Sequence, residues 1–241
     1  MFNAFGNKIA LNVIIINCLE IFMGIEIDLM KNYPKTKRDP FARLKSKTDQ
    51  HRQIAREFGR DFFDCSRDTG YGGFTYDAKY WAPVIPDFNN HFGIRNNDNI
   101  LDIGCAKGFM LNDFLNNNPT LKVSGIDISE YAINHGHPRV KEFLQIGDCR
   151  DLPFEDKSFD FSFSITTVHN VDKKECIKSL SEIERVTKKG SFITVDAYNN
   201  ETEKKAMFAW NLTAKTILHV DEWKNLFDIA GYTGDYYWFL P

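Results

Sequence analysis

Three carboxylates in the middle of the chain, Asp102, Asp127 and Asp148, each close a short apolar run. Runs of that length suit strands buried on both faces, so the three acids are expected at one edge of a sheet. Gly104-Cys-Ala-Lys-Gly108 lies between the first two, and its glycines allow positive φ and close approach of a ligand to bare backbone. The spacing is Asp-x-Gly-x-x-x-Gly, not the Gly-x-Gly-x-x-Gly of dinucleotide sites, and no Gly-Lys-Ser/Thr phosphate loop is present. Asp102 would repel a pyrophosphate and suits a cationic ligand. Asp127, roughly 25 residues further on, stands where a Rossmann-like unit sets a carboxylate against a ribose diol, accepting from both hydroxyls. His169, in Thr166-Thr-Val-His-Asn170, can accept a proton from a hydroxyl near neutral pH. Read structurally, the same histidine holds its loop by hydrogen bonds.

The elements that would position these groups alternate strand and helix. Strands are expected near 99–103, 121–128, 143–148, 159–165 and 191–197, with a final aromatic strand over 232–240. Helical spacing runs through 109–115, and Ser129 caps another helix reaching Asn134. Cys176, Leu180, Ile183 and Val186 form the apolar stripe of a helix over 173–188, which Gly190 is expected to close. A helix bearing Met207, Phe208, Trp210 and Leu212 follows a polar turn, and another leads from His219 to Gly231. Upstream, helices are expected over 47–63, with Ile54, Phe58, Phe62 and Phe63 on one side, and over 82–93. The pattern is α/β and Rossmann-like: a mostly parallel sheet flanked by helices, with an N-terminal helical and lid extension.

Leu101-Asp-Ile-Gly-Cys-Ala-Lys-Gly108, with Asp127, Asp148 and the passage 152–160, resembles the class I S-adenosylmethionine-dependent methyltransferases. The resemblance covers about residues 95–198. It implies a cofactor set of Asp102, Gly104, Cys105, Ala106, Gly108, Phe109, Asp127, Ile128, Asp148, Cys149 and Thr166. Asp127 would hold the ribose, Ile128 would lie against the adenine, and Asp148 with Cys149 would meet its edge. Thr166 would meet the methionine end through backbone. The family finishes with two antiparallel strands, of which only one is legible here, so the sheet edge is expected to be short and open to a partner subunit.

Residues 67–81 interleave glycines with Tyr71, Phe74, Tyr76, Tyr80 and Trp81. Aromatic faces on a mobile segment can cover a sulfonium, a base or a sugar, and in methyltransferases of this type the segment before the first strand folds over the pocket. A lid carrying Tyr71 and Tyr76 is one reading; an ordinary packed subdomain is the other. Residues 31–47 are strongly basic, which reads as a solvated arm or as a site for phosphate groups. Three regions result: an extension over 1–30, a basic arm with helices and lid over 31–94, and the S-adenosylmethionine-binding domain over 95–241.

Net charge of −3 over 241 residues argues against wholesale nucleic-acid binding. Five scattered cysteines without a Cys-x-x-Cys pair suggest a reducing compartment and neither a disulfide framework nor a zinc site. The apolar stretch over 9–22 is too short and too polar to span a membrane, and it makes a poor signal peptide. Residues 1–22 are read as an upstream extension or loose helix, and the expected location is the cytoplasm, as monomer or homodimer.

The expected activity is methyl transfer to an oxygen of a small polar acceptor. This would be a phosphorylated or nucleotide-linked sugar-type metabolite, as in surface-polysaccharide biosynthesis, with S-adenosylhomocysteine as product. His169 is the candidate base, and Asn170, Tyr198 and His219 are candidate acceptor contacts; no metal is expected. RNA methylation is one alternative. A protein that binds or cleaves S-adenosylmethionine without methylating is another.

Overall fold

The structure, a computed structural model, describes residues 24–35 and 47–240. Among the described residues, three helices precede the sheet: α1 (Asp49–Ala55), α2 (Arg60–Phe63, a single turn) and α3 (Ile85–Phe92). The Thr48 hydroxyl accepts the His51 N–H at 3.2 Å and starts α1. The single helix expected over 47–63 is instead two, because Phe58 takes a left-handed φ of +49° and the chain turns at Gly59. That turn presents the Phe58 carbonyl to Ser129 Oγ, 2.5 Å away.

Among the described residues seven strands make the sheet: β1 (Asn99–Ile103), β2 (Lys122–Asp127), β3 (Leu144–Ile146), β4 (Phe159–Ile165), β5 (Thr187–Tyr198), β6 (Leu218–His219) and β7 (Asp235–Phe239). The order is β3-β2-β1-β4-β5-β6, with β7 also on β5, and every strand pair is parallel. The intervening helices are α4 (Phe109–Asn117), α5 (Glu130–Asn134), α6 (Lys173–Val186), α7 (Glu201–Trp210) and α8 (Val220–Ala230). Parallel strands need such crossovers, which cover both sheet faces. Ile100 of β1 packs with α3 and α4 on one face, among Phe88, Phe114, Phe163 and Phe192. Leu101 and Ile103 point the other way, into a core built with α6 and α8.

Two boundaries differ from expectation. Gly190 does not close α6; the helix ends at Val186, and Gly190 lies within β5 opposite Phe161. A Cβ there would sit 3.0 Å from the Phe92 ring, so close packing accounts for the glycine. The C-terminal edge also differs from the expected antiparallel ending, because β6 is a two-residue strand and β7 runs parallel to β5.

The outer edge of β7 is not open. Ile27 N–H donates to the Tyr236 carbonyl at 3.0 Å, and Tyr236 N–H donates to the Ile25 carbonyl at 3.1 Å. Part of the expected 1–30 extension thus joins the sheet, while the reading of residues 1–22 lies outside the described residues. Lys31 pairs with Asp87 at 3.0 Å and Lys35 with Asp28 at 3.8 Å, so both described lysines at this end of the basic arm have acidic partners. Among the described residues, no helix is long and apolar enough to cross a membrane.

Candidate functional site

β1 runs into α4 through a turn whose backbone is left-handed at Gly104 (φ +83°), Ala106 (φ +50°) and Gly108 (φ +75°). A Cβ on Gly104 would meet Thr167 Oγ1 at 2.0 Å, so the loop after β4 packs directly on this turn. Asp127, at the end of β2, locks the turn from the other side. Its two oxygens accept the Ala106 N–H and the Ser129 N–H, each at 2.8 Å. Burial raises its pKa, and those two amides oppose the rise. Asp102 is buried beside it, with no ion pair among the described residues. Burial and the Asp127 charge push its carboxyl up to about 7. Asp148 lies close after β3, its carboxylate bound by Arg150 Nε at 2.8 and 3.0 Å, which holds its pKa below the usual range.

These groups open on one cavity of about 1050 Å3 at the C-terminal ends of the strands. Of the residues singled out from sequence, Asp102, Gly104, Cys105, Ala106, Phe109, Asp127, Ile128, Asp148, Cys149 and Thr166 line it. His169, Asn170 and Tyr71 line it as well. Ile128 exposes 53 % of its surface there, an apolar face for a flat ligand.

Gly108, Tyr76, Tyr198 and His219 are not in the wall. Gly108 is the N-cap of α4. The Tyr76 hydroxyl donates to Asp113, and its ring lies edge-on to Phe109 and His137. Tyr198 packs edge-on to His219 at 5.7 Å, and His219 caps α8 by accepting the Asp221 N–H at 3.2 Å.

Thr166, at the tip of β4, is left-handed at φ +51°, its N–H shared between the carbonyl and hydroxyl of Thr194. Asn170 Nδ2 donates to the Thr166 carbonyl at 3.2 Å, while Asn170 Oδ1 is buried without a hydrogen-bond partner. His169 is buried, and its Nδ1 accepts the Asp196 N–H at 2.9 Å. Its Nε2 lies 3.7 Å from Asp196 Oδ1. With Nδ1 accepting, the proton of the neutral ring sits on Nε2, so neither nitrogen offers a lone pair to the cavity. Burial lowers the His169 pKa, and Asp196 opposes this.

Sequence reasoning missed several wall residues. Arg52 of α1 and Arg56 just after it donate to the Asn211, Thr213 and Ala214 carbonyls and clamp the loop after α7; Trp210, the last residue of α7, and Leu212 in that loop line the cavity. Tyr33 lies 5.1 Å from Trp81 and 5.6 Å from Tyr80, all three lining the mouth. Lys107, inside the glycine turn, bonds Asp64 and the Phe74 carbonyl. The glycine spacing and the aromatic run marked these regions, but only the fold brings them together.

Residues 101–195 match the family described as the methyltransferase domain. The match covers less than half of the chain. The demethylmenaquinone methyltransferase of Symbiobacterium thermophilum is 36% identical over 155 residues, 61% of either chain. The tRNA (carboxymethyluridine(34)-5-O)-methyltransferase of Arabidopsis thaliana is 31% identical over 127 residues, 52% of this chain and 30% of that protein. The YcgJ protein of Bacillus subtilis shares the fold, with a TM-score of 0.51 and 18% identity over 61% of this chain and 66% of that one. The chain spans less than two thirds of the length of these curated relatives. The methyltransferase match runs from residue 101 to residue 195, so the aromatic segment 67–81 and Trp210 lie outside it.

The cavity fits the cofactor that such domains use. A Cβ would fill the cradle at Gly104, the Asp102 carboxyl is buried with no ion pair among the described residues, and the Asp127 carboxylate is held by two amides.

Proposed function

We propose that the chain binds S-adenosylmethionine and transfers its methyl group to an oxygen of a small acceptor. The observation that carries this reading is the convergence of Asp102, Asp127 and Asp148 with the glycine turn on one cavity. Asp127, its carboxylate already oriented by two amides, takes the ribose diol through its remaining lone pairs. Asp102 faces the ammonium of the methionine moiety, and Ile128 covers the adenine. Bound S-adenosylmethionine supplies an electrophilic methyl for in-line displacement, a reaction that depends on positioning.

On the acceptor side His169 serves as a brace, because both its nitrogens face Asp196. Asn170 Oδ1, a buried acceptor without a partner, receives the acceptor's hydroxyl proton as a hydrogen bond. Tyr33, Tyr71, Tyr80, Trp81 and Trp210 supply flat faces for a ring. Such faces stack on the C–H side of a sugar, in keeping with a sugar-type metabolite, phosphorylated or nucleotide-linked.

Calorimetric titration with S-adenosylmethionine and S-adenosylhomocysteine tests the reading. Wild type should bind both, and sugar nucleotides should then be screened for S-adenosylhomocysteine release. Absence of binding by wild type would sink it. The Arabidopsis relative acts on tRNA by its name, which favours RNA as the second reading; salt-steep RNA binding would support that alternative.

A further inference from the structure

We infer that Lys107 is a positioning residue that fastens the loop 64–74 over the cavity and ties it to the glycine turn beneath the cofactor. This rests on reading the cavity as an S-adenosylmethionine site. Lys107 stands between left-handed Ala106 and Gly108 and is only 5% exposed. Its Nζ donates to the Asp64 carboxylate and, at 2.8 Å, to the Phe74 carbonyl. One buried ammonium therefore holds both feet of the loop. Its own main chain is fixed too, since its carbonyl accepts the His137 N–H at 2.8 Å.

The clasp continues beyond the lysine. The other Asp64 oxygen accepts the Tyr131 hydroxyl at 2.8 Å, and Tyr131 belongs to α5. That helix is capped by Ser129, whose N–H binds Asp127. The loop, the glycine turn and the ribose-facing acid thus form one connected unit. Burial alone would raise the Asp64 pKa, but the hydrogen bonds from Lys107 and Tyr131 hold it below the usual range. The loop carries Tyr71 into the cavity wall, stacked on Phe62 at 5.3 Å. Lys47 Nζ holds the crown through the Arg67 carbonyl at 2.6 Å. Opening the loop would strand the Lys107 ammonium inside the protein or flood it with water, so the closed position is favoured. Cofactor exchange then requires the clasp to release.

The test uses Lys107→Met, Asp64→Asn and Lys107→Arg in the full chain. Asp64→Asn keeps the side-chain shape and decides the matter if Lys107→Met does not fold. Tryptic cleavage after Arg67, an exposed residue in the loop, is followed on the cofactor-free proteins. Both charge-removing variants should be cut faster, and S-adenosylmethionine should leave them about tenfold faster or more, the scale of a hydrogen bond between charged groups. The KM for S-adenosylmethionine should rise more than kcat falls. Lys107→Arg should restore protection, which a packing role alone would not give. Wild-type cleavage rates in both variants overturn the proposal, as does faster cleavage with unchanged dissociation. Cleavage needs no ligand, so a failure of wild type to bind S-adenosylmethionine is separable from a failure of the clasp.

Discussion

Nδ1 of His169 accepts the main-chain N–H of Asp196 at 2.9 Å, joining the loop after β4 to the end of β5. The ring is a buried strut between two neighbouring strand ends, and it lines the cavity. Its pKa is lowered below the ordinary 6.5 by burial, so the unfolded chain binds this proton more readily than the folded one. The stability that neutral His169 contributes is present above about pH 6.5 and is lost as pH falls. The unfolding free-energy difference between wild type and His169→Asn should therefore widen from pH 5 to 7, then level off. A denaturant series at each pH measures it, and a pH-independent difference would count against the strut.

Asp102 titrates in the opposite sense, in the wall of the proposed cofactor cavity. Its carboxyl, pushed up to about 7, is partly protonated near neutrality in the free protein. A cationic ligand binds the carboxylate, so affinity for S-adenosylmethionine should rise with pH up to about 7 and then flatten. Binding below that pH should release a proton, visible as a calorimetric enthalpy that varies with buffer. Asp102→Asn should abolish both effects.

Asp127→Ala should weaken S-adenosylmethionine by about 1.5–3 kcal/mol, the scale of hydrogen bonds to a charged group. The same change frees the Ala106 and Ser129 amides, so the melting temperature should fall as well.

Two glycines with positive φ separate strain from collision. Gly93, at φ +61°, has nothing within 4 Å of an added Cβ, so Gly93→Ala should cost about 1–2 kcal/mol from backbone strain alone. Gly104, at φ +83°, would thrust a Cβ to 2.0 Å from Thr167 Oγ1. Gly104→Ala should cost visibly more in a denaturant titration and should also abolish cofactor binding.

Asn170→Ala should leave S-adenosylmethionine affinity nearly unchanged and lower kcat/KM by about tenfold, the loss of one hydrogen bond in the transition state. A matching fall in cofactor affinity would place Asn170 on the cofactor side instead.

The parallel core was legible because each strand carries its own signal. Ile100, Leu101 and Ile103 form a two-faced run, and Gly104 breaks it. Ser129 as a cap and Gly231 as a helix end were readable for the same local reason. The helix break at Phe58 was not, because a left-handed phenylalanine is set by what its carbonyl meets, here Ser129 far along the chain. Tyr76 and His219 were singled out by residue type, but type does not say which way a side chain faces. Lys107 sat in full view within the glycine motif. Its role depends on Asp64 and Phe74, which no spacing rule connects to it.

The pairing of Ile27 with Tyr236 has a consequence for how the chain matures. A strand edge completed by residues 210 positions apart, as Ile25 and Asp235 are, cannot form until both have been synthesised. The central strands can assemble as they emerge, with only short loops to close. The segment over 25–27 must wait until β7 has left the ribosome, and its closure spans the 210 positions from Ile25 to Asp235. During that interval the last strand exposes unpaired N–H and C=O groups, which makes it the place where a chaperone or a second nascent chain would first take hold.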